Sequence, residues 1–210
     1  MNDGTNQRSE RTRQALLDAA WQIVREHGLP ALTMRRLASE ARVSVGTAYF
    51  HFVDQAALIE DLRIRAWNEL EHAIEAEVEP QIAHVAELSC ERALRMILDS
   101  VQRFAAREPR LQELILLGPG ANFTQRVMER DLVAATRFVA LFYRGIGTGE
   151  FRANCDPQIV ALALWTSVQG QLQRMAATMP DAFRVLQARA YDEILDAFFA
   201  HIRSRGNEVA

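Results

Sequence analysis

The densest chemistry in the chain sits in one stretch, VSVGTAYFHF, from Val43 to Phe52. It sets Ser44, Gly46 and Thr47 in front of Tyr49, Phe50, His51 and Phe52. Hydroxyls and free N–H groups at a helix start suit phosphate oxygens. A glycine there lets a backbone come close to a partner. Arg35 and Arg42 stand just upstream, and a guanidinium can grip a phosphate or fork onto guanine O6 and N7. The chemistry is non-covalent recognition of a polyanion. The stretch must also be two-faced. A buried helix would not want Gly46 and Thr47 in its first turn, and an exposed one would not want large rings.

Other chemistries are missing from the sequence. The histidines at 27, 51, 72, 84 and 201 are scattered, with no HExxH and no close Cys/His cluster. No serine sits in a GxSxG context and no phosphate loop is present. The expectation is no enzyme, no cofactor and no metal. Cys90 and Cys155 lack ligand spacing and read as free thiols in a reducing compartment. Cys90 is a redox-sensor candidate or a buried thiol.

The 210 residues, 49% hydrophobic and 24% charged, suit a soluble protein of one or two domains. No apolar run approaches a bilayer span and no signal peptide is visible, so no membrane contact and a cytoplasmic location are expected. Every basic residue is arginine. The net charge of −3 hides a split. Residues 1–52 carry seven Arg against five acids, or +2, leaving −5 on the rest. A basic end on an acidic body points to nucleic-acid contact by that end.

The elements that must position this chemistry are helical throughout. Leu16, Ala20 and Ile23, flanked by Leu17 and Val24, form the apolar face of a first helix closed by Gly28. Thr33 caps a helix over 34–41, Ser44 caps one over 45–51, and Asp54 caps a long helix to Glu79, stopped by Pro80. A helix over 81–106 follows, with Val85, Leu88, Ala93, Met96, Ile97, Val101 and Phe104 on its apolar face. A short helix starts at Pro109, and the GPG at 118–120 breaks the chain. A helix covers 123–146, with Gly145, Gly147 and Gly149 marking a turn. Asp156-Pro157 opens a helix to about Met179, and Pro180-Asp181 opens the last, to about Arg205.

The last helix carries two apolar stripes. Phe183, Ala190, Ile194, Phe198 and Ile202 form one, and Ala188, Leu195 and Phe199 the other. The helix before it has small residues at Ala161, Ala163, Ser167, Gly170 and Ala177. Either all of this builds one thick core, or one stripe packs inward and the other meets a symmetry mate.

Two short helices joined at Arg42-Val43 make a helix-turn-helix, whose second helix enters the DNA major groove. By helical angle Ala48 and Phe52 point into the small core. Val45 and Tyr49, with Phe50 to one side, lie outside.

From Thr12 to Leu62 the chain resembles the DNA-binding domain of the TetR family of bacterial transcriptional repressors. The resemblance rests on the aromatic-bearing first helix ending in Gly28, the helix started by Thr33, and Val43-Ser44-x-Gly46-Thr47-x-Tyr49-x-His51-Phe52. Beyond it the match is in outline: an all-helical body, a Gly-rich turn before Asp156-Pro157, and two closing helices. The resemblance implies an all-α protein of about nine helices. A three-helix DNA-binding domain over 1–53 would precede a ligand-binding and dimerisation domain over 54–210. It places Thr33 and Met34 at phosphate, Arg35 on base or backbone, Val45 and Phe50 on bases, and Thr47, Tyr49 and His51 on the sugar-phosphate backbone. Two positions depart from the pattern. Arg42 replaces a usual glycine, at a site where positive φ is not free, and adds charge. Gln55 replaces a usual lysine at the start of the fourth helix, keeping a hydrogen bond to phosphate but no charge.

The resemblance also implies a ligand pocket in the body, between the helices over 54–79, 81–106 and 123–146. Met96, Phe104, Phe123, Met128 and Phe142 are chosen as its lining for ring size, sulfur flexibility and position. The leading function is a homodimeric repressor, released from a near-palindromic operator on double-stranded DNA by a small lipophilic or aromatic effector. The alternatives are a regulator without such a ligand, governed by a protein partner or by abundance, and an all-helical enzyme or carrier.

Overall fold

The computed structural model describes residues 3–83, 88–116, 124–176 and 181–203. Among them run nine α-helices and one short 3-10 turn, and the extended structure is limited to one bridge between Phe151 and Arg203. No described helix is long and apolar enough to cross a membrane. Two compact units divide the chain: residues 1–68 with 108–127, and residues 69–107 with 128–210.

The first unit begins with α1 (Asp3–His27), whose buried Leu16, Ala20, Trp21, Ile23 and Val24 recur at helical spacing. Gly28, at φ 83°, ends it, donating its N–H to the Val24 carbonyl at 2.8 Å. Helices α2 (Met34–Glu40) and α3 (Val45–His51) follow. Thr33 caps α2 by accepting the Arg36 N–H at 3.2 Å. Asp54 accepts the Ala57 N–H at 2.8 Å and so caps α4 (Gln55–Ala83). Leu37, Ala48, Phe52, Leu58 and Leu62 are buried together with the α1 face as the core of this unit. Fully burying a ring or a leucine contributes roughly 1.5–3 kcal/mol. The Arg13 guanidinium lies 5.1 Å over the Phe52 ring and pairs with Asp61, so one side chain ties α1 to α3 and α4.

The boundary between units falls inside α4, after Asn68, whereas the expected boundary at 53/54 precedes that helix; Leu58 and Leu62 continue the first core past α3. Helix α6 (Pro109–Ile115) also belongs to this unit. Arg25 pairs with Glu108 at 2.5 Å, and Arg110 donates to the Arg25 carbonyl at 2.9 Å.

Pro80 does not stop α4, which runs on to Ala83. In the last turn a proline removes one intrahelical bond where few remain. The Gln81 side-chain amide donates to the Glu77 carbonyl at 2.6 Å and helps hold that turn. The helix expected over 81–106 therefore starts later, as α5 (Cys90–Arg107). Leu88 precedes it, and Val85 lies outside the described residues, as does the GPG at 118–120.

In the second unit the start of α5 is capped locally by Ser89, which accepts the Arg92 N–H at 3.2 Å, and is also held from a distance. The Glu150 carboxylate accepts the N–H groups of Cys90 and Glu91 at 2.7 and 2.8 Å, a negative charge on a helix N-terminus. Helix α7 (Gln125–Gly147) leads into that loop. Gly145 lies within α7, where a Cβ would overlap the Phe151 ring, so the turn belongs to Gly149 at φ 76°. Asp156 caps α8 (Pro157–Ala176), accepting the Gln158 N–H at 2.9 Å. Helix α9 (Asp181–Ile202) closes the described chain, and Arg152 donates its N–H to the Ile202 carbonyl at 2.9 Å.

Candidate nucleic-acid interface

The site is built by the turn between α2 and α3. Helix α2 ends in a paired closure: Arg42 donates its N–H to the Ser39 carbonyl at 3.2 Å, and Val43 donates to that of Ala38 at 2.9 Å. This closure needs a left-handed residue between the two bonds. Arg42 supplies it at φ 55°, as the only described non-glycine residue with positive φ. Ser44 then starts α3, its Oγ accepting the Thr47 N–H at 3.0 Å and lying 2.8 Å from the Thr47 hydroxyl. The Val45 and Gly46 N–H groups are left at the helix start without intrahelical acceptors.

The faces of α3 divide as the helical angles predict. Ala48 and Phe52 are buried, while Val45 is 41%, Tyr49 51% and Phe50 80% exposed. Phe50 is thus no core ring; its ring stands T-shaped to that of His51, with centroids 5.2 Å apart. Gly46 is exposed, and a Cβ there would meet only the Ser44 Oγ, at an ordinary 3.7 Å. The interior does not require a glycine at this position.

Arg35, Arg42 and Thr33 are exposed on the same turn-and-helix unit. Two side chains depart from the sequence expectation. Met34 is buried, so only its backbone N–H can reach a phosphate. Gln55 directs its amide to the Leu32 carbonyl at 2.7 Å, which uses one donor inside the domain. Val53, not singled out from the sequence, is 79% exposed immediately after Phe52, a large apolar residue outside any helix beside the Asp54 cap.

The body residues chosen from sequence receive different surroundings. Met96 is half-buried and Phe104 is buried on α5. Phe142 is built into a ring cluster, 5.5 Å from Phe151 and 6.3 Å from Phe198, which gives it a packing role. Phe123 lies outside the described residues, as does the side chain of Met128. Cys90 is buried, and burial pushes its thiol pKa up, away from the reactive thiolate. Among the described residues no group of His, Cys, Asp and Glu has the arrangement of a metal site.

Helices α8 and α9 each show two faces. Ala161, Leu164, Trp165, Val168 and Leu172 of α8 are buried, as are Tyr191, Leu195, Phe199 and Ile202 of α9. Ile202 therefore joins the inward stripe, three residues from Phe199 and seven from Leu195 on the same helical face. Ile159, Leu162, Val185, Leu186 and Ile194 remain 50–66% exposed, and Ala163, Ser167 and Gly170 lie exposed among them. Phe183 and Ala177 fall outside the described side chains.

Known proteins agree with this geometry. Residues 16–62 match the family described as bacterial regulatory proteins, tetR family. The HTH-type transcriptional regulator SrpR of Pseudomonas putida is 25% identical over 154 residues, covering 71% of this chain and 68% of SrpR. A protein of unknown function from Rhodococcus sp. RHA1 superposes with a TM-score of 0.68 at 23% identity, covering 91% of this chain and 95% of that one. RolR, solved in complex with resorcinol, gives a TM-score of 0.69 at 16% identity, covering 95% and 91%.

Proposed function

The chain belongs to the tetR family of bacterial transcriptional regulators, and from that premise we propose that it is a homodimeric repressor released from its operator by a small molecule. The observation that carries this reading is the outward face of α3. Val45, Tyr49 and Phe50 stand exposed at a capped helix start, beside the free N–H groups of Val45 and Gly46. Arg35 prefers guanine, forking onto O6 and N7. Val45 and Phe50 lack hydrogen-bonding groups and read shape or a thymine methyl. Thr33, Arg42, Ser44, Thr47, Tyr49 and His51, with the backbone of Met34 and Gln55, hold phosphates and fix register.

The exposed faces of α8 and α9 meet a second copy. Exposed small residues allow close helix approach, and the apolar residues around them supply the burial. Two heads related by a two-fold axis read a near-palindrome with half-sites about 34–36 Å apart, or more widely spaced. The effector enters the second unit, against the apolar side of α5 that carries Met96 and Phe104. It is lipophilic or aromatic, in keeping with the resorcinol held by the structurally similar RolR. It shifts the heads because it binds the DNA-incompetent arrangement better than the competent one. The protein works where the chromosome is, in the cytoplasm.

Binding-site selection from random duplexes tests the reading. The expected result is one near-palindromic site, and small phenols or fatty-acid derivatives are then screened for release. Selection of no site overturns the repressor. A selected site with no releasing compound favours the alternative governed by a partner or by abundance.

A further inference from the structure

Beside the start of α3 lies a groove that the recognition helix does not use. It has a volume of about 570 Å³ and is open to solvent. One wall is Gln7, Arg8, Arg11, Thr12 and Ala15 of α1, and the other is Ala41 and Val43 of the α2–α3 turn. Val43 is two residues from Val45, the first residue of α3, so the groove continues the surface where that helix begins.

The lining holds two guanidiniums, an amide and a hydroxyl, and no carboxylate. Arg8 and Arg11 are exposed and pair with no carboxylate among the described residues, whereas Arg13 two residues on is committed to Asp61. The Thr12 hydroxyl donates to the Arg8 carbonyl at 3.0 Å, so the helix is formed where the arginines stand. Small-molecule pockets are enclosed and mostly apolar. An open, cationic groove suits a passing polyanionic strand instead. Arg8 and Arg11, three residues apart, share a face and are separated by about 4.5 Å along the axis. Long, flexible guanidinium side chains on one face can reach neighbouring phosphates of a single strand.

We propose that this groove carries the sugar-phosphate backbone of DNA flanking each half-site, with Arg8 and Arg11 on phosphates. The footprint of a protomer then reaches past the base pairs that α3 touches. The inference rests on the operator-binding reading above and deepens it.

The full-length chain and its Arg8→Gln/Arg11→Gln variant are titrated onto the selected site with short and with long flanks, over a range of salt. The wild type is expected to bind the long-flanked duplex more tightly. Its plot of log K against log salt should be steeper than the variant's by about 1.8 per protomer, at about 0.9 for each of two phosphates. The variant should bind both duplexes alike and select the same site. Glutamine is a good helix former, and a circular-dichroism melt confirms that the variant is folded. An Arg8→Lys/Arg11→Lys variant should recover the steep slope, because only charge is needed. Equal flank dependence and equal slopes for wild type and Gln variant overturn the groove. A wild type that binds no site selectively overturns the operator reading itself, before any variant is compared.

Discussion

The Val43 N–H reaches the Ala38 carbonyl at 2.9 Å across Arg42, and that bond holds the arginine at φ 55°. A left-handed residue with a Cβ costs about 1–2 kcal/mol. The chain keeps that cost at the turn that aims α3, and gains an exposed guanidinium there.

Arg42→Gly should therefore raise stability by about 1 kcal/mol, since glycine adopts this conformation without a Cβ clash. The same change removes one cation from the DNA side and should lower the salt slope by about 0.9 per protomer. Thermal melting and salt-dependent anisotropy read the two effects separately. A destabilised, equally salt-sensitive variant would contradict both the strain and the phosphate contact.

Phe50 and Tyr49 should behave as different kinds of residue. Phe50→Ala, at a ring 80% exposed, should change stability by no more than about 0.5 kcal/mol. It should relax preference at one or two base pairs, costing about 1–3 kcal/mol there. Tyr49→Phe should weaken all sequences alike by about 1 kcal/mol and leave the selected site unchanged. Site selection with each variant decides. The assignment of faces fails if Tyr49→Phe moves the selected sequence while a folded Phe50→Ala does not.

Ile194 and Phe198 separate association from folding. Ile194 is exposed on α9, so Ile194→Arg should leave the melting curve of the monomer nearly intact and raise the dimer Kd at least tenfold, about 1.4 kcal/mol. Phe198 packs edge-on to Phe199 at 5.4 Å and lies near Phe142, so Phe198→Ala should cost the fold about 2 kcal/mol. Sedimentation at micromolar concentration and a urea titration check the pair. A wild-type chain that sediments only as a monomer would remove the proposed interface.

Glu91 should give the second unit an acid-sensitive contact. Hydrogen bonds from Arg203 at 2.7 Å and Arg95 at 3.0 Å outweigh burial and hold its carboxyl below the ordinary range. A depressed folded pKa gives stability that is fully present above the unfolded value, about 4.3, and is lost as pH falls through the folded one. Glu91→Gln should therefore be less stable than wild type at neutral pH, with a gap that closes in acid. Urea midpoints at pH 7 and across the acid range would show it, and a gap independent of pH would count against the ion pairs.

What the sequence determined by itself was local. Thr33, Ser44, Asp54 and Asp156 cap helices through N–H groups two or three residues away, so their types and spacing were enough to start α2, α3, α4 and α8. The split of α3 into a buried Ala48–Phe52 side and an exposed Val45–Tyr49 side follows from the helical repeat alone. Tertiary structure decided what depends on distant partners. Ser89 gives α5 a local cap, accepting the Arg92 N–H, but the Glu150 carboxylate that takes the Cys90 and Glu91 N–H groups comes from about 60 residues away, and no pattern near Cys90 announces that partner. Gln55 spends an amide donor on Leu32, Met34 turns inward, and Ile202 joins the inner stripe of α9. A hydrogen bond or a buried contact forms where two segments meet, and the packing of the whole chain decides which segments meet.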